Sequence, residues 1–136
     1  MTAKALCVYI SGPMTGHDGL NYERFNKIAV DLRNVGYRTR NPASIDVLWP
    51  SMCSSHNGQE RCPECTEVRT YEWYLKHALH MLLEADAVAT LDGWTRSKGA
   101  KIEVNLARKL KMPVAMWTVW MDRARRRHPR SMLEWS

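Results

Sequence analysis

The chain has 136 residues, 45% of them apolar and 25% charged, which fits one globular domain and leaves little room for two. No apolar run approaches the length of a membrane span, and the amino terminus enters an apolar strand pattern without a secretory leader, so a cytoplasmic protein is expected. The net charge of +6 is concentrated near the carboxyl end, in Arg123, Arg125, Arg126, Arg127 and Arg130. Such a cluster can touch phosphates, but without a recognised nucleic-acid module it reads at least as well as a solvated helix end or an oligomer contact.

Ala5–Ile10 is a short apolar run stopped by Ser11-Gly12-Pro13, the pattern of a buried strand that ends in a turn. Asn21 is placed to cap a helix in which Phe25, Ile28, Ala29, Leu32 and Val35 recur at helical spacing, with Gly36 to end it. Tyr37–Arg40 reads as a second strand, cut off by Asn41-Pro42. The aperiodic, polar stretch from about 43 to 70 reads as an insertion. A second helix is expected over Tyr71–Glu84, a third strand over Asp86–Leu91, and a turn at Asp92-Gly93-Trp94. The third helix starts near Gly99 or Ala100, carries Ile102, Leu106 and Leu110 inward, and gives way to a strand over Val114–Val119. Strands alternating with helices imply one α/β domain over residues 1–136. Its sheet is doubly wound, flavodoxin-like or Rossmann-like, mostly parallel and four- to five-stranded, with a cysteine-containing insertion after strand two. Ligands of such sheets gather at the carboxyl ends of the strands.

Two segments lie at those ends. The loop Tyr9-Ile10-Ser11-Gly12-Pro13-Met14-Thr15-Gly16 has two glycines that let backbone approach a ligand, although a tight turn beside a buried tyrosine explains the same residues. The stretch from Asp92 to Glu103 passes through small residues into a helix, so free N–H groups around Ser97, Gly99 and Ala100 welcome an anion. Glu103 is expected in the first turn, where the helix field favours its ionised form and leaves a carboxylate able to act as a nucleophile; a glutamate there also pairs with the dipole for purely structural reasons.

Together these segments, with Gly36-Tyr37, Asn41-Pro42 and Ala85-Asp86, resemble the nucleoside 2-deoxyribosyltransferase superfamily, and in particular its small, phage-associated branch. The resemblance implies cleavage of the bond between a nucleobase and its sugar without a cofactor for catalysis. Glu103 would attack the anomeric carbon and Tyr9 would orient it. Resolution of the glycosyl-enzyme ester by water gives a hydrolase; resolution by a second base gives a transferase acting on nucleosides. The resemblance further implies that Ser11, Gly12, Pro13, Met14, Gly16, Asn41, Asp92, Trp94, Ser97, Gly99 and Ala100 border the substrate. Where the transferases commonly carry an aspartate, Ser97 stands, as in the branch that contacts a 5′-phosphate, which favours a nucleoside 5′-monophosphate. Ala78 departs from the pattern, because active hydrolases carry an aspartate eight residues before the Ala-Asp aspartate; His77 and His80 flank that position, and Asp92 is the other carboxylate at hand. A non-catalytic nucleotide-binding protein is therefore the alternative.

Within the insertion, Cys53, His56, Cys62 and Cys65 have the spacing C-x2-H-x5-C-x2-C, a ligand set for a structural tetrahedral zinc; free thiols or a disulfide are the competing readings. Cys7 alternates inward on the first strand as a core residue. Trp117, Trp120 and Trp135 are candidates for a subunit interface. Because the superfamily is generally oligomeric, a homodimer or larger assembly is expected, with no membrane partner.

Overall fold

A computed structural model describes residues 5–14, 21–48 and 70–127. Four strands, β1 (Cys7–Ser11), β2 (Arg38–Arg40), β3 (Ala87–Thr90) and β4 (Val114–Met116), form one wholly parallel sheet in the order β2-β1-β3-β4. Every residue of the central strands β1 and β3 is buried, which is why their sequences run apolar without alternation. The sheet is doubly wound. Val8 and Ile10 face α1 (Tyr22–Asn34) and α5 (Trp117–Arg127), through Phe25, Leu32, Trp120 and Ala124. Tyr9 and Val88 face the opposite side, through Ala78 and Leu82 of α3 (Tyr71–Leu83) and Ala107 of α4 (Lys98–Lys109).

Local chemistry sets the helix ends. Gly36, at φ 108°, lets its own N–H reach the Arg33 carbonyl and the N–H of Tyr37 reach that of Leu32, closing α1 as anticipated. Asn21 corrects the expectation of a side-chain cap: at φ 63° it precedes α1, but its Nδ2 donates to the Pro13 carbonyl at 2.9 Å and ties the β1 loop to the helix start. The insertion is more structured at its near end than its composition suggests. Pro42–Ser44 forms a 3₁₀ turn and Ile45–Leu48 a short helix, α2, with Ile45 in the core. At its far end Thr70 caps α3 by accepting from the N–H of Trp73 at 3.1 Å.

Three further expectations are corrected. The strand anticipated over Val114–Val119 stops at Met116, because Trp117, Trp120, Met121 and Ala124 fall at helical spacing and bury α5 against α1. Trp120 is thereby a core residue and not an interface residue: its Nε1 donates to the Val88 carbonyl at 2.9 Å and Tyr37 Oη donates to the Trp120 carbonyl at 2.7 Å. On α4, Ala100, Glu103, Val104 and Ala107 are buried, whereas Leu110 is 50% exposed and Ile102 and Leu106 lie at the margin. The alanines let α4 lie close to the sheet, and that rotation turns Glu103 inward. Among the described residues, no helix is long and apolar enough to cross a membrane.

Candidate active site

The strand order reverses between β1 and β3, so a crevice opens at their carboxyl ends. Tyr9 and Ser11 are two residues apart on β1 and therefore project from the same face of the sheet, towards α4. Both end on one group. Tyr9 Oη donates to Glu103 Oε2, and Ser11 Oγ donates to Glu103 Oε1 at 2.8 Å. Tyr9 and Ser11 have no exposed surface and Glu103 is only 6% exposed, so each carboxyl oxygen has a hydroxyl donor in place of water.

Burial pushes the Glu103 carboxyl up to about 7, against the opposing effect of the Tyr9 and Ser11 hydrogen bonds, which favour the anion. This overturns the expectation that the helix field keeps Glu103 ionised. α4 begins at Lys98, its first turn holds no acidic residue, and Glu103 lies a turn too deep for the dipole to offset desolvation. Near neutral pH the group is therefore shared between acid and carboxylate. Tyr9 is pushed well above the usual phenol range, first by burial and then by the neighbouring Glu103 charge, and so acts as a donor only.

Beside this triad lies an open cleft of about 860 Å³ lined by Pro13, Tyr71, Asp92, Gly93, Arg96, Ser97, Lys98 and Gly99. Ser97 is the N-cap of α4: its Oγ accepts from the N–H of Ala100 at 3.2 Å, which leaves the Lys98 and Gly99 N–H groups outside the helical ladder. Arg96 and Lys98 add positive charge to the same wall. Asp92 borders it from the other side and pairs with Arg24 at 3.4 Å. Tyr71, the first residue of α3, was not anticipated. Its phenol lies 3.4 Å from where a Cβ on Gly99 would sit, Lys98 Nζ stands 5.7 Å from its ring centre, and burial followed by the Glu103 charge pushes the phenol above its usual range and keeps it protonated. No motif announces it, since it follows the insertion and meets α4 only in the fold.

The remaining anticipated residues separate by position. Gly12 is a packing glycine, because a Cβ there would lie 2.8 Å from Leu91 Cβ. Met14 packs against the α1 side of the core, and Ala100 is buried beneath the cap. Asn41 is occupied structurally: its Oδ1 accepts from the N–H of Ala43 at 3.0 Å and its Nδ2 donates to Asn26 at 2.8 Å. Trp94 lies in a 3₁₀ turn with Arg108 5.8 Å from its ring centre. Ala78 packs in the apolar cluster that contains Tyr9. His77 stacks on Trp73 with ring centres 4.1 Å apart, and His80 pairs with Glu84 at 3.3 Å, so both are engaged along α3. Cys7 is a buried free cysteine, as anticipated. Gly16 and the proposed zinc ligands Cys53, His56, Cys62 and Cys65 lie outside the described residues. Among the described residues, no group of three or more His, Cys, Asp or Glu side chains is placed to hold a metal.

Neither the curated proteins nor the solved structures provide a match to the chain. A family described as a domain of unknown function, DUF4406, matches residues 6–116, a span that runs from β1 through β4 and includes Tyr9, Ser11, the cleft wall and Glu103. Over that span, which is most of its length, the chain belongs to the DUF4406 family.

Proposed function

We propose that the chain cleaves or exchanges the N-glycosidic bond of a deoxynucleoside 5′-monophosphate, with Glu103 as nucleophile. The observation that carries this reading is the Glu103 carboxyl held by Tyr9 and Ser11 beside a cleft whose wall presents Arg96, Ser97, Lys98 and the start of α4. In the proposed reaction a Glu103 oxygen attacks the anomeric carbon while the C–N bond breaks, its electron pair leaving with the base, which takes a proton from solvent. Water, or a second base, then attacks the same carbon and the carboxylate departs. The cationic wall suits a phosphate better than the uncharged 5′-hydroxyl of a free nucleoside. A second reading, nucleotide binding without turnover, is favoured by Ala78: it places a methyl group in the apolar cluster that contains Tyr9, where the resembling hydrolases carry an aspartate.

The deciding experiment incubates the protein with a panel of deoxynucleoside monophosphates and free deoxynucleosides and follows released base by chromatography. Base should appear from a monophosphate in preference to its nucleoside, and Glu103→Ala should lower the rate by at least about 100-fold. If no base appears from any of them while a nucleotide still raises the melting temperature, the binding reading replaces the enzymatic one.

A further inference from the structure

Ser11 is fully buried, and the cleft is walled by other residues, so its hydroxyl is placed for Glu103 and not for a substrate. Tyr9 and Ser11 stand about 7 Å apart along one face of β1. The long side chain reaches Oε2 from deeper in the sheet and the short one reaches Oε1 from nearer its carboxyl edge. Two donors from one rigid central strand leave the carboxyl plane no freedom to turn. We infer that Ser11 is a positioning residue for Glu103: together with Tyr9 it clamps the carboxyl by one oxygen each, and each hydrogen bond favours the anion that attack requires. The catalytic part of this inference rests on the N-glycosidase reading; the clamp itself does not.

The surroundings of Glu103 leave few competitors for that role. Among the described residues, Tyr9 from β1 and Tyr71 from α3 feel its charge, and Asp92, Arg96 and Lys98 border the cleft. On the same face β3 presents Val88 and Thr90, and β4 presents Val114 and Met116, none of which titrates. Loss of the Ser11 donor therefore falls on Glu103 directly, and burial, the dominant influence on its ionisation, gains ground.

The test compares denaturant unfolding of the wild-type protein, Ser11→Ala and Glu103→Gln between about pH 4 and about pH 9. A carboxyl raised by folding contributes stability that is fully present below its ordinary value of 4.5 and is lost as pH rises through about 7. Relative to Glu103→Gln, the wild type should lose stability across that window and then level off. Ser11→Ala should go on losing it for about one further pH unit, a tenfold change in the ionisation constant, and Ser11→Cys, with a weaker donor of similar size, should level off in between. A Ser11→Ala curve that levels off with the wild type overturns the inference. In the base-release assay the acid limb should move up by the same about one pH unit with KM unchanged. A raised KM with an unmoved acid limb makes Ser11 a substrate contact and also overturns it. If the wild type cleaves nothing, the N-glycosidase reading fails, while the unfolding comparison still decides the clamp.

Discussion

A carboxyl with a hydroxyl donor on each oxygen and almost no contact with water is subject to two opposed forces. Desolvation favours the neutral acid, and the donors favour the anion. For Glu103 desolvation prevails, yet only as far as about 7, so a modest change in its surroundings alters its charge at neutral pH. Tyr9 is the larger of the two donors and is itself unable to ionise in the working range. Tyr9→Phe removes one hydrogen bond and leaves Oε2 unpartnered in a site closed to solvent. The expected loss of stability is about 1–3 kcal/mol, near the upper figure at about pH 8.5, where Glu103 is anionic, and near the lower at about pH 5, where it is neutral. Denaturant titrations at the two pH values check this, and equal losses at both would show that Tyr9 does not discriminate the charge state.

Two connections between elements bring the site together. One is the turn from β1 into its loop, where Gly12 passes so close to Leu91 that a Cβ would meet Leu91 Cβ at 2.8 Å. That contact is with the root of a side chain and cannot be relieved by a rotamer change, so Gly12→Ala must move backbone next to Ser11. A cost of about 1–3 kcal/mol and loss of nucleotide-induced thermal stabilisation are expected, both read from melting curves with and without nucleotide. An unchanged melting temperature would mean that the loop yields freely. The other connection is the start of α4. Ser97 caps the helix while the buried Ala100, Val104 and Ala107 bring it against the sheet, and their stripe carries Glu103 inward. Ile102, Leu106 and Leu110 suggest a different inward face because they are larger. Close approach of a helix to a parallel sheet rewards small side chains, so alanine spacing is the better guide here.

At the scale of the whole molecule, two cores on either side of one four-stranded sheet hold β1 and β3 rigid, and the crevice forms where the strand order reverses. Trp120 anchors the core away from the cleft, with an edge-on contact to Tyr37 at 5.9 Å between ring centres and a hydrogen bond to the β3 backbone. Trp120→Ala should cost about 3–5 kcal/mol, a large part of the usual stability of a domain this size. Base release per folded molecule, measured well below the melting transition, should be retained; a loss of base release without a loss of stability would place Trp120 in the site instead.

The α/β alternation, the β1 loop, the small-residue entry into α4 and the Tyr9–Glu103 pairing were all legible in the sequence. Each rests on information local to the chain: an apolar run ended by turn residues, small residues ahead of a helix, or a motif order that resembles a known superfamily. What the sequence could not supply depends on which surfaces meet. The tryptophan-rich segment after β4 is compatible with a strand until burial against α1 selects the helix. Tyr71 reaches the cleft only because α3 and α4 pack side by side, and Ser11 moves from a substrate contact to a clamp only because α4 turns Glu103 onto it. The charge of Glu103 belongs with these. Helix position is written in the sequence, but desolvation is a property of everything folded around the group, and only the tertiary structure decides it.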